Sequence, residues 1–293
     1  MDASATEQHI VVFPFMSQGH ISSITRHLKG SFKPWFLDDD SPLSKFIADS
    51  GDTDHESWGV ILNSPALLYD DEINGNHFKS PLSANYLYWL DDHFTKPALV
   101  ICISFGTQAH LSGADLDEIG FGLEMSGHEF LWVIKSKTWC PKDGLEKRVR
   151  GKGLMVRGWV EQRSVLAHPA VGGFSSHCGW NSVLGSLSMG VPFLAFPMNA
   201  EQPLNAKQVV NELKEGLRVE MGGPSGWGKL SIQRHSISNG VRELMGENGK
   251  KVRIKAEELG RAARQAVKEG GTSYNSMTEL INKLCARHAG VSS

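Results

Sequence analysis

From residue 99 onward, short apolar runs alternate with stretches of helical spacing, and this alternation leaves few folds open to the chain. Residues 99–105 (LVICISF) are apolar at nearly every position, the pattern of a strand covered on both faces rather than one. A helix is expected over 115–125, then strands over 130–134, 153–157 and 170–175. A helix over 181–189 follows, then one over 201–213, a short strand near 217–219, and helices over 232–245, 250–266 and 272–286. The mixed charges of 247–264 fit a solvated amphipathic helix, because Glu257 and Glu258 interrupt its lysines and arginines. Strands alternating with helices predict an α/β fold: a Rossmann-like parallel sheet with helices on both faces and ligands at the carboxyl ends of the strands.

The first ninety-odd residues offer less. Strands are expected over 9–14 (HIVVFP), 58–63 (WGVILN) and, shorter, 34–37. The loop Phe15-Met16-Ser17-Gln18-Gly19-His20 follows the first of these as a second strand-loop-helix ligand mouth. With 293 residues, 40% of them hydrophobic, and a net charge of −2, the chain is expected to form one or two soluble domains without a nucleic-acid partner. No apolar run approaches the length of a membrane span, and MDASATEQH lacks the basic start and apolar core of a signal peptide, so a cytoplasmic protein is expected. The four cysteines show no CxxC spacing and read as reduced thiols. The twelve histidines show no HxxxH or HExxH spacing, so zinc has no support.

Residues 159–202 (WVEQRSVLAHPAVGGFSSHCGWNSVLGSLSMGVPFLAFPMNAEQ) carry the chemistry. The turn His177-Cys178-Gly179-Trp180 joins a buried strand to a helix. It gathers backbone N–H groups and the positive helix end at one spot, with Asn181 and Ser182 in the first helical turn and His177 able to donate to a phosphate oxygen. A diphosphate suits such a place. The stretch closely resembles the signature box of plant family 1 UDP-sugar-dependent glycosyltransferases, at Trp159, Gln162, His168, Pro169, Gly172, Phe174, Gly190, Pro192, Pro197, Glu201 and Gln202 among others.

That resemblance implies a GT-B fold, with a truncated acceptor-side domain over 1–96, a UDP-sugar-binding domain over 97–270 and a C-terminal helix over 271–293. Residues 91–96 before Pro97 read as the linker. It also implies roles. Trp159 would stack on uracil with Val160 beside it, Gln162 would reach the ribose, and His177, Trp180, Asn181 and Ser182 would hold the phosphates. Glu201 and Gln202 would bond the sugar hydroxyls, a terminal Gln pointing toward glucose. Ser104-Phe105-Gly106-Thr107 matches a second phosphate-side loop of the family, through Ser104 and Thr107. His20 would be the base that takes the proton of an acceptor hydroxyl on a phenolic, flavonoid or hormone, with inversion at the sugar and no metal or other cofactor.

Two departures stand out. Where the family has a ribose-binding Glu, this chain has Gly185. On usual family length, on the order of 150 residues are expected to be missing between about Ile24 and Ser31, with the Asp that would orient His20. Asp38-Asp39-Asp40 resembles a metal-binding triplet but precedes Ser41-Pro42, and reads as a helix start. Two readings follow: an inverting UDP-glycosyltransferase, or an impaired relative that only binds UDP or a UDP-sugar.

Overall fold

The computed structural model describes residues 11–12, 60–61, 81–94, 97–106, 111–199, 201–220, 232–275, 277–279 and 282. The chain divides into two compact units, Met1–Ser64 and Pro65–Ser293. In the first, β1 (Val11–Val12) and β2 (Val60–Ile61) pair in parallel, Val11 opposite Val60. Both lie inside the strands expected there. The strand at 34–37, the triplet Asp38-Asp39-Asp40, His20 and the region of the expected deletion lie outside the described residues.

The second unit opens with α1 (Pro81–Asp92) and holds six parallel strands: β3 (Val100–Ser104), β4 (Glu129–Ile134), β5 (Gly153–Arg157), β6 (Val171–Ser176), β7 (Phe193–Ala195) and β8 (Gly216–Arg218). Their order is β5-β4-β3-β6-β7-β8, so the first strand lies at the centre and the sheet grows outward from it in both directions. This is the doubly wound arrangement of Rossmann-like folds. The connecting helices are α2 (Gly113–Ser126), α3 (Leu145–Arg148), α4 (Gln162–Ala167), α5 (Trp180–Met189), α6 (Gln202–Lys207), α7 (Arg234–Met245) and α8 (Lys250–Val267).

The period of two in β3 explains its unbroken apolar run. Val100 and Cys102 join Leu131 and Phe174 in a core under α1, α4, α5 and α6, whereas Ile101 and Ile103 join Phe130 and Trp132 in a second core under α2 and α7. Each such side chain, withdrawn fully from water, contributes roughly 1.5–3 kcal/mol. Local signals set the helix ends. Ser112 and Asp115 form a reciprocal capping box at the start of α2, and Gly127 ends it in the left-handed region.

The expected strands and long helices of this unit are present within a few residues, the helix expected over 201–213 running as α6 and then a π-helical turn over Gln208–Glu212. Of the helix expected over 272–286, residues 272–275, 277–279 and 282 are helical and the others lie outside the described residues. The difference lies in α1, whose last turn includes Asp91 and Asp92, residues read as linker. Tyr86 and Leu90, four apart, put one face of this helix into the core. Among the described residues, no helix is long and apolar enough to cross a membrane, and no group of three or more His, Cys, Asp or Glu could hold a metal ion.

Candidate ligand site at the carboxyl edge of the sheet

After β3 the chain turns toward α2 on one face of the sheet; after the neighbouring β6 it turns toward α5 on the other. The crevice between two such strands is where open α/β sheets take ligands. Ser104 lies opposite Ser176 in the register, which brings the turns Phe105-Gly106 and His177-Cys178-Gly179 side by side.

His177 is the centre of this arrangement. Its Nδ1 lies 3.1 Å from Ser176 Oγ. The ring rests between two glycines: a Cβ on Gly106 would come within 2.5 Å of its Cε1, and a Cβ on Gly179 within 2.5 Å of its Nε2. Burial pulls its pKa down to about 4, so the ring is neutral near pH 7. When the Ser176 hydroxyl donates to Nδ1, Nε2 carries the ring proton and becomes a donor.

Gly179 is the N-cap of α5, and no side-chain hydrogen bond caps that helix. Trp180, Asn181 and Ser182 form its first turn, where the helix end favours negative charge. Cys178, just before it, has φ of 65°, the left-handed region that residues with a Cβ seldom enter. Burial pushes its thiol up to about 12, so it stays protonated and is no nucleophile.

Trp159 and Val160 follow β5. Val160 is buried, but Trp159 is 76% exposed, a broad aromatic face open to whatever occupies the edge. The loop is held from below: the Glu161 N–H donates to the Tyr86 hydroxyl at 3.1 Å, and the Glu161 carboxylate caps α4 by accepting from the N–H groups of Arg163 and Ser164. Gln162 opens α4 and leans toward α5. A Cβ on Gly185 would stand 3.1 Å from its Nε2. Glu201 and Gln202 stand at the start of α6, both largely buried. Gln202 Oε1 accepts from the N–H groups of Met198 and Asn199, each at 3.0 Å, and its Nε2 donates to Asn199 Oδ1 at 2.9 Å. Beside Gly106, a hollow of about 340 Å³ opens between the ends of β3 and β4, with Trp132 and Lys137 among its lining residues.

Ser104, His177, Trp180, Asn181 and Ser182 thus share one turn region, and Gln162 lies against α5 at Gly185. Thr107 and His20 lie outside the described residues. Sequence reasoning passed over Ser176, Gly106 as one wall of the imidazole slot, Tyr86 and Asn205. For Asn205 there was a signal, since an Asn inside a helix gives up propensity unless its amide has work elsewhere.

A doubly wound sheet with a helix N-terminus and a neutral imidazole at its switch point is the arrangement of a Rossmann-like α/β protein. The sequence model of the family described as UDP-glucoronosyl and UDP-glucosyl transferase matches residues 67–222, and the chain belongs to that family. UDP-glycosyltransferase 90A2 of Arabidopsis thaliana is 42% identical over 284 residues, covering 88% of this chain and 59% of that protein. UDP-glycosyltransferase 90A1 of the same plant is 40% identical over 253 residues, 85% of this chain and 51% of that one. The chain therefore spans between half and three-fifths of these curated relatives. Among solved structures, Phytolacca americana UGT2 with UDP-2fluoro-glucose and pterostilbene aligns with a TM-score of 0.73 at 28% identity, over 91% of this chain and 68% of that one. Medicago truncatula UGT71G1 with UDP-glucose aligns with a TM-score of 0.67 at 32% identity, over 82% and 52%.

Proposed function

We propose that the carboxyl edge of the second unit binds a UDP-sugar, and that the chain transfers the sugar, with glucose first among candidates, to a hydroxyl of a small phenolic, flavonoid or hormone. The observation that carries this reading is the neutral His177 ring seated between Gly106 and Gly179 beside the open end of α5. Uracil would lie on Trp159 next to Val160, the ribose against Gln162, and the diphosphate among Ser104, Thr107, His177, Trp180, Asn181 and Ser182. Glu201 and Gln202 would face the sugar. The Phytolacca structure, holding a fluorinated UDP-glucose and pterostilbene, supports both the donor and an aromatic acceptor class. In the reaction, the acceptor oxygen bonds to the anomeric carbon as the bond from that carbon to the β-phosphate oxygen breaks. The acceptor proton passes to His20, and UDP leaves with the bonding pair. No metal is needed, and the free thiols of Cys102, Cys140 and Cys178 suit a reducing, cytoplasmic setting.

The alternative reading, a binder without turnover, draws support from Gly185 and from the Gln202 amide, which is already engaged by the Met198–Asn199 loop. UDP release from UDP-glucose with a panel of flavonols separates the two. His20→Ala should lower the rate about 10²- to 10⁴-fold, the usual contribution of a positioned base. Equal rates in the two proteins would retire His20 and leave binding alone.

Gly185→Glu should tighten UDP. A carboxylate there would accept from the ribose hydroxyls, and helix α5 would exchange an interior Gly for a better helix former. Gln162 must yield by a few tenths of an ångström, which a flexible amide end does readily. A gain on the order of tenfold is expected by calorimetry, after burial of the new charge offsets part of the hydrogen bonding. An unchanged dissociation constant would show that the missing carboxylate does not limit affinity.

A further inference from the structure

Asn205 lies on α6, one turn beyond Glu201 and Gln202, and is wholly buried. Its Nδ2 donates to the carbonyl of Cys178 at 2.9 Å. That orientation of the amide is chemically fixed, since the opposite one would set two oxygens against each other. Cys178 is the residue held at φ 65°, and its carbonyl sits between His177 and the first residues of α5. The Asn205 Oδ1 is buried with no hydrogen-bond partner. An apolar side chain would remove the orphaned Oδ1 but would also take away the donor to the Cys178 carbonyl, so that hydrogen bond, and not packing, is what an amide supplies at this position.

We propose that Asn205 is a positioning residue for nucleotide binding: by grasping the Cys178 carbonyl it holds the left-handed turn that aims His177 and the start of α5 at the diphosphate, and it ties that turn to the helix bearing Glu201 and Gln202. This rests on the reading of the edge as a UDP site. The amide touches no substrate; it acts through the backbone. Without its hydrogen bond, residue 178 relaxes toward the ordinary φ of a residue with a Cβ, the peptide rotates, and the imidazole leaves its slot. A glycine at 178 would hold the left-handed conformation unaided.

Calorimetric titration of UDP into the unaltered chain, Asn205→Ala, Cys178→Gly and the double variant tests the assignment. Asn205→Ala should weaken UDP roughly tenfold when residue 178 is Cys, and less than about twofold when it is Gly. Equal losses in both backgrounds would reduce Asn205 to a packing residue and overturn the proposal. Should Asn205→Ala fail to fold, Asn205→Asp keeps the shape. Its carboxyl can donate to the Cys178 carbonyl only when protonated, so its affinity relative to the unaltered chain should recover between about pH 8 and pH 5.5. A ratio indifferent to pH overturns the assignment. If the unaltered chain takes up no UDP, the nucleotide reading itself fails, and this assignment with it.

Discussion

Gly179→Ala is expected to weaken UDP binding on the order of 10- to 100-fold while leaving thermal stability nearly unchanged, the size of effect that follows from losing one hydrogen bond to a charged group. The two outcomes separate because Gly179 sits at φ −60°, ψ 139°, a conformation that alanine adopts freely. Backbone strain is therefore absent. At an N-cap, Ala in place of Gly gives up a little, and the stiffer unfolded chain returns a similar amount. What alanine cannot do is share the space of the imidazole: its Cβ would stand 2.5 Å from His177 Nε2 and 2.9 Å from Cε1. The ring must swing out, and its donor leaves the mouth of α5. Gly106→Ala would press the same ring from the other side, but at φ 69° it adds strain of its own, which makes it the poorer probe. Calorimetry with a parallel melt decides the matter; full UDP affinity in Gly179→Ala would mean that the seated imidazole has no part in holding the nucleotide.

The second large effect concerns stability. Glu215, immediately before β8, is fully buried, and neither carboxylate oxygen has a hydrogen-bond partner. Burial pushes its pKa from 4.5 up to about 8. The folded chain thus keeps a proton that the unfolded chain releases above pH 4.5, so this group's contribution to stability is greatest below pH 4.5 and is lost as pH rises toward about 8. Glu215→Met, similar in length and free of polar oxygens, removes that decline. It should stabilise the chain at every pH, by about 3 kcal/mol more at pH 8 than at pH 5. His177 works in the opposite direction: its lowered pKa withdraws stability as pH falls from 6.5 toward about 4. That contribution is common to both proteins and cancels in the difference. Urea unfolding at the two pH values is the measurement, and an equal gain at both would mean that the carboxyl is not held protonated.

How much of this was legible beforehand depended on the distance over which each feature is encoded. The run at Val100–Ser104 announces burial on both faces because both parities of the strand are apolar, and alternation with helices announces a parallel sheet but not the order of its strands. His177 stood out because its strand-turn-helix pattern already describes an anion site, and Trp159 and Glu201 because the stretch they bound resembles the signature box. By contrast, α4 has six residues, too few for a period of 3.6 to show, and the Asp91-Asp92 end of α1 mimics a linker although Tyr86 and Leu90 anchor it. The imidazole slot was hidden for a different reason. One wall, Gly106, comes from the turn after β3 and the other, Gly179, from the turn after β6, and only the pairing of Ser104 with Ser176 sets them face to face. The hold of Asn205 on Cys178 likewise joins separate elements, and no local pattern displays a left-handed cysteine.

Because β3 is the innermost strand, the sheet consists of two contiguous chain segments, β3 to β5 and β6 to β8, joined along a single seam. Among the described residues, strand pairing crosses that seam only between β3 and β6; it is also bridged by helix contacts, as where Arg234 at the head of α7 grips Glu118 of α2. The imidazole turn is at one end of the seam. A guest lodged there would act as a rivet between the halves, and because it would bind only the folded chain, the cohesion of the sheet would become a gauge of occupancy.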